Sequence, residues 1–151
     1  MRQAVVVALA AVLLAAGAAT AGEEPGRALP DGKTSRGGYI GLIFNTHTML
    51  VEGIDLEWGC RSVANGKAAF AIVTHKGIGR IPSSHKLSLD VALPYTKIGS
   101  SKTLGTARVT LVASIDWTPS TSNQHATAKG TVSVKTGPCS SGTLAFTARE
   151  H

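Results

Sequence analysis

Serine, histidine and an acidic residue occur close together in one segment, Ser83-Ser84-His85 followed by Asp90. These residue types can perform nucleophilic hydrolysis, but the chain has no G-x-S-x-G elbow, and a catalytic triad is defined by geometry, not by composition. Serine and aspartate in turns usually form the turns themselves. We therefore predict no catalytic residue here, and a small secreted hydrolase with a loop-borne active site remains an alternative interpretation.

Asp55 and Glu57 are the candidate pair for acid-base chemistry on a glycoside. Two residues apart on a strand, they share one outer face, with about 6.5 to 7 Å between them along the chain. That separation suits paired carboxylates, but any solvated strand face has it. None of the histidines has a metal-binding spacing, and we predict neither a metal nor a cofactor. The histidines are His47, His75, His85, His125 and His151.

The segment 93–105 (LPYTKIGSSKTLG) combines an aromatic residue with two lysines and small polar residues. We expect this segment to form a long hairpin loop. Loops at the ends of a β-sandwich commonly bind ligands. The candidate ligand-binding residues are therefore Tyr95, Lys97 and Lys102, together with Trp117, which ends the longest predicted strand. The alternative is a flexible connection without a ligand.

The chain has a formal net charge of +6. The basic residues are scattered along the sequence, without a Lys/Arg run or an aromatic-interleaved basic stripe, so specific nucleic-acid binding is not favoured. A modest positive excess attracts anionic polymers of the cell envelope, and otherwise describes a solvated surface.

The two cysteines, Cys60 and Cys139, predict a single disulfide, because an even count in an exported chain is typical of one. Trp58 lies two residues before Cys60 in the same strand phase. We expect it in the core, beside the disulfide.

Short apolar alternations separated by Gly, Pro, Ser and Asn predict an all-β fold of about seven to eight strands. Their inward faces must cover one another, which predicts an antiparallel β-sandwich, immunoglobulin-like in general architecture, with a barrel as the second choice. Pro94 is expected to end its strand. The candidate strands are 39–45, 51–60, 68–75, 86–92, 105–117, 126–135 and 143–149.

The N-terminus predicts export. Arg2 precedes an apolar run from Ala4 to Ala16, which is too short for a comfortable membrane span, and Ala19-Thr20-Ala21 fits a cleavage site. We therefore assign 1–21 to a signal peptide, 22–31 to a flexible leader and 32–150 to the β-domain. The mature protein is expected to be secreted, without a membrane span.

Four sequence features occur together in order: G-K-T-S-R-G at 32–37, Cys60, A-K-G-T-V at 128–132 and G-P-C-S-S-G-T-L-A-F-T-A-R at 137–149. In this combination the chain resembles a group of short secreted proteins of actinobacteria and related soil bacteria, with a signal peptide and one cysteine pair. The resemblance implies export and the β-fold, and it assigns no catalytic residue.

These observations favour a non-catalytic extracellular module that binds a cell-envelope polymer or a protein partner. A secreted enzyme inhibitor is the third interpretation, beside the hydrolase. The sequence does not select among ligands.

Overall fold

The computed structural model describes residues 27–28, 30–61, 67–118 and 125–150. The predicted signal peptide lies outside these residues, as does most of the predicted leader. Within the described ranges no helix is long and apolar enough to cross a membrane. The strands are β1 Arg27–Ala28, β2 Asp31–Thr34, β3 Tyr39–Asn45, β4 Leu50–Trp58, β5 Phe70–Thr74, β6 Gly79–Arg80, β7 Lys86–Lys97, β8 Thr103–Thr118, β9 His125–Lys135 and β10 Ser140–Arg149.

The sheet closes on itself. From β2 to β10, leaving out the short β6, each strand pairs antiparallel with the next along the chain, and β10 then pairs with β2. The closing register runs from Phe146 opposite Thr34 to Arg149 opposite Asp31. The all-β prediction is confirmed, but the predicted β-sandwich is wrong: the fold is a closed up-and-down barrel of eight strands.

The closing strand β2 explains the error. Its sequence, Asp-Gly-Lys-Thr, has no apolar alternation, so the sequence pattern predicts no strand there. The short β1 continues the same register on β3, since Arg27 lies opposite Asn45 and Asp31 opposite Gly41. Ala28 is fully buried. Ordered strand therefore reaches into the segment that we assigned to a flexible leader.

The expectation that Pro94 ends its strand is also wrong, because β7 continues to Lys97. Pro94 lies opposite Thr106 of β8, while β5 pairs with β7 only at the last two residues of β7. Nothing therefore pairs with Pro94 on the β5 side, and a proline there removes no ladder hydrogen bond. The predicted loop 93–105 shrinks to the turn 98–102.

Aliphatic side chains fill the barrel. On β8 the inward residues Val109, Leu111 and Ile115 are buried and the intervening Thr110 and Ser114 are exposed, so the predicted alternation is confirmed. Eight strands leave an interior that side chains can fill. The interior is a packed core that holds the wall rigid, and the connections at its two ends are the parts free to vary.

The two ends differ in their connections. We call one the disulfide end; its connections are 35–38, 59–69, 98–102 and 136–139, with 62–66 outside the described residues. The other, called the opposite end, carries 46–49, 75–85 and 119–124, the last outside the described residues.

A side chain at Gly130 should disrupt the wall. A Cβ there would overlap the backbone carbonyl oxygen of Val112 and lie 2.7 Å from Cα of Ala113, so the two strands would have to separate. We expect Gly130→Ala to lower the free energy of unfolding by about 1–3 kcal/mol, measured by denaturant titration. Gly137→Ala is the control, because its Cβ would enter open space. Equal midpoints for the two variants would contradict this packing.

Candidate functional site

Cys60 and Cys139 form the predicted disulfide, with their Cα atoms 5.2 Å apart. Cys60 follows β4 and Cys139 precedes β10, and β3 and β2 lie between these strands in the wall. Three strand spacings along the wall amount to about 14 Å. To form the bond, the connections must leave the wall and approach each other across the end. The disulfide therefore covers part of the barrel mouth.

Three aromatic rings fill the interior below this cover. Trp58 is 1% exposed, which confirms its predicted core position, and its ring centroid lies 5.5 Å from that of Phe70 and 5.7 Å from that of Tyr95. Tyr95 therefore lies on β7, half-buried, and not on an exposed loop. Its ring packs in the core, and little of it remains to stack a ligand.

Two polar atoms in the same layer are buried without a hydrogen-bond partner among the described residues, Nε1 of Trp58 and Oγ1 of Thr34. Leaving a buried polar group unpaired costs about 1–3 kcal/mol. Proteins tolerate such violations of local rules mainly at functional or strained sites. Both residues end their strands at the disulfide end, Trp58 on β4 and Thr34 on β2.

Charge is unevenly distributed between the ends. The connections of both ends contain no Asp or Glu, so the ends differ in their basic residues and in the acids of the adjoining strands. Along the strands that lead to this end, the nearest acid is Glu57, which points outward from the wall of β4. Exposed basic side chains surround the mouth: Arg36, Arg61, Lys67, Lys97, Lys102 and Lys135. The positive excess that is scattered along the sequence is therefore concentrated at one end of the fold.

Toward the opposite end, basic and acidic residues of the described ranges occur in equal number: Lys76, Arg80, Lys86 and Arg149 beside Asp31, Glu52, Asp116 and Glu150. Trp117 lies here, half-buried, with its ring 6.0 Å from that of Phe44 and stacked 4.1 Å from the imidazole of His85. Of the four ligand-binding candidates, the fold thus brings Tyr95, Lys97 and Lys102 to the disulfide end. It places Trp117 at the far end of β8.

A cleft of about 490 Å³ opens beside the disulfide. Arg36, on the turn between β2 and β3, and Arg61, directly after Cys60, flank it, and Ser141, Gly142 and Thr143 at the start of β10 complete its lining. Sequence reasoning missed both arginines as site residues. The available signal was the disulfide itself, since pairing Cys60 with Cys139 places residue 61 beside residues 140–142.

The hydrolase residues do not form a triad. The carboxylate of Asp90 accepts a 2.7 Å hydrogen bond from Nε of Arg108 on the outer wall, and this contact holds the pKa of Asp90 below its usual range. The ring of His85 stacks on Trp117. Ser84 Oγ accepts a weak 3.4 Å hydrogen bond from the backbone of Lys86. Each group is thus engaged elsewhere.

The carboxylate pair lies on the outer wall, where Asp55 and Glu57 point from β4 away from the core. Burial raises the pKa of Asp55, the charge of Glu57 raises it further, and His75 lowers it. Tyr39 on the neighbouring strand donates a 3.3 Å hydrogen bond to Asp31. In the part of the chain that the structure describes, no group of His, Cys, Asp or Glu is arranged to hold a metal ion. The pair lies on an open wall, outside the cleft.

Comparisons of the chain with protein-family models, with curated proteins and with solved structures found no match. The resemblance to secreted actinobacterial proteins therefore stays an expectation, and the site has to be interpreted from its own geometry.

Removing the disulfide should destabilise the fold substantially, because the bond closes a loop with a sequence separation of 79. The chain-entropy relation gives about 4.5 kcal/mol for a loop of this length. We expect Cys60→Ala/Cys139→Ala to lower the free energy of unfolding by about 2–5 kcal/mol, measured by urea titration under oxidising conditions. Reduction of the wild type should produce the same loss. An unchanged midpoint would show that backbone closure alone holds this end.

The raised pKa of Asp55 predicts a pH-dependent effect. The folded state favours the protonated form of Asp55. The destabilisation caused by ionising this carboxyl group is therefore absent at low pH and develops as pH rises through the folded pKa. Asp55→Asn should therefore raise the free energy of unfolding at pH 7 and leave it nearly unchanged at pH 3. Solvent screening keeps the gain below about 1 kcal/mol.

Thermal unfolding at the two pH values measures this difference, and the exposed Asp116→Asn is the control. Equal destabilisation by Asp55→Asn at both pH values would mean that the carboxylate makes a net stabilising contact.

Proposed function

We propose that this protein is a non-catalytic secreted module that binds an anionic polymer of the cell envelope across its disulfide end. The observation that carries the proposal is the charge segregation: among the described residues, six exposed basic side chains surround this end with Glu57 as the nearest acid, whereas basic and acidic residues are mixed at the opposite end. A surface of one sign attracts polymers of the other and raises their local concentration.

The arrangement favours an extended ligand over a small ion. Each connection carries or adjoins at least one basic residue, so the cations are distributed around the mouth, with only Arg36 and Arg61 lining a common cleft. A single exposed ion pair contributes about 0–1 kcal/mol. Useful affinity therefore requires several contacts at once, which a chain of repeated anionic groups provides.

The scaffold supports this role. A closed barrel has a packed core and no free sheet edge along its closing seam, so the connections at its end are held on a rigid frame. The disulfide is consistent with an oxidising location, and the predicted signal peptide agrees with export. The ligand-binding lysines of the sequence analysis, Lys97 and Lys102, belong to this surface.

Neutralising two of these lysines should weaken polymer binding. We expect Lys97→Gln/Lys102→Gln to elute earlier than the wild type from a column of immobilised anionic polysaccharide at low salt. About 1 M NaCl should elute both, because the screening length is then about 3 Å. Tyr95 is not substituted in this variant, because its ring packs in the core.

The matched control is Lys76→Gln/Lys86→Gln, which removes the same charge from the opposite end. If both variants elute equally early, net charge and not the disulfide end determines retention. If the wild type is not retained on anionic polysaccharide or on cell-wall fractions at low salt, the proposed function is wrong.

A further inference from the structure

We propose that the cleft between Arg36 and Arg61 is a subsite for one acidic sugar unit, whose phosphate or carboxylate group is held between the two guanidinium groups. The inference rests on the proposed function and names the chemistry by which the polymer would be anchored. Arginine suits this role because its planar fork of donors matches oxyanion geometry in a bidentate fashion.

Both guanidinium groups are available to a ligand. Arg36 and Arg61 are exposed, and neither forms an ion pair with any residue in the described ranges. Arg108 provides the contrast, because its guanidinium is already engaged with Asp90. Two unneutralised arginines that flank one concave surface attract an anion more strongly than either does alone.

The backbone on both sides of the cleft is fixed. Ser35, next to Arg36, donates its N–H to the carbonyl of Ala145 at 2.7 Å, and the Ala145 N–H donates to Ser35 Oγ at 3.1 Å. The N–H of Arg61 donates to the carbonyl of Ser140 at 2.6 Å, beside the disulfide. The fixed backbone lowers the entropy cost of binding, because the ligand has to order only the two arginine side chains and not the segments that carry them.

Gly142 gives the cleft its shape. Its backbone is left-handed, with φ of +68°, and a Cβ there would lie 3.3 Å from Cδ of Arg61. The ladder between β9 and β10 changes register at this point, which is a β-bulge. The bulge and the missing side chain let the Arg61 stem lie against the strand.

The size and lining of the cleft indicate more than a bare ion. The cleft is open to solvent, and its volume of about 490 Å³ leaves room for a sugar unit. Thr143 presents an exposed hydroxyl group that can bond a sugar hydroxyl. Ser141 is buried, and its hydroxyl accepts from the Val134 N–H at 2.9 Å and donates to the Gly142 carbonyl at 2.7 Å. It is therefore committed to the fold and unsuited to act as a nucleophile.

The test is titration of the full mature protein with glucose 6-phosphate, glucuronate, inorganic phosphate and glucose, followed by calorimetry and by amide NMR shifts of residues 35–37 and 140–143. We expect saturable binding of at least one acidic sugar below about 10 mM, and weaker binding of glucose and of inorganic phosphate. Arg36→Gln/Arg61→Gln should raise its Kd about fivefold or more, because two exposed ion pairs of about 0–1 kcal/mol each are lost. Lys76→Gln/Lys86→Gln should leave it unchanged.

Several outcomes would overturn the subsite. They are no saturable binding of either acidic sugar, binding of glucose as tight as that of the acidic sugars, and equal weakening in the two double variants. The relative affinity of glucose 6-phosphate and glucuronate assigns the oxyanion. Retention of the same variants on anionic polysaccharide separates the two proposals. If Lys97→Gln/Lys102→Gln reduces retention but Arg36→Gln/Arg61→Gln binds the sugars as the wild type does, the protein binds the polymer and the subsite proposal is wrong.

Discussion

The pairing of β10 with β2 is the constraint on which the remaining structure depends. It joins the last strand to the first with a continuous register from Phe146 opposite Thr34 to Arg149 opposite Asp31, and it turns an open meander into a closed barrel. Closure removes two sheet edges that would otherwise present unpaired backbone groups. The up-and-down connectivity places alternate connections at the same end, and closure gathers the connections of each end around one mouth.

That grouping of connections produces the surface charge pattern. Residues as far apart in sequence as Arg36 and Lys135 come to the same end, because the chain between them runs through six antiparallel wall strands. An even number of strands returns the chain to the end from which it started. The acids lie mainly on the walls, where Asp90 is paired with Arg108, and toward the opposite end. A modest overall charge therefore becomes a strongly basic end. The distribution of the charge, more than its total, determines which ligands the protein attracts.

The disulfide adds a local constraint to the closure of the barrel. It links two connections that are not neighbours in the wall and draws residue 61 onto the start of β10. The β-bulge and Gly142 make room for that contact, and Ser141 restores the hydrogen bonds that the bulge interrupts. The cleft thus depends on two contacts between distant parts of the chain, the pairing of β2 with β10 and the disulfide bond. Neither contact alone places Arg36 beside Arg61.

The sequence by itself determined the elements with strong local signals. Period-two alternation located the long strands, such as β8, and the inward phase of Trp58, because side-chain direction in a strand follows from position alone. Two cysteines allow one pairing within the chain, and this decided the disulfide. These predictions need no knowledge of which strands are neighbours in space.

Only the tertiary structure decided between sandwich and barrel. The deciding strand, β2, is short and polar, and its pairing with β10 is a contact between opposite ends of the chain that no local pattern encodes. Pro94 remains within β7 for a related reason, since its missing N–H matters only if a neighbouring strand needs it there. The basic end and the cleft likewise exist only after closure. They depend on which loops share an end of the barrel, and chain connectivity in three dimensions determines this.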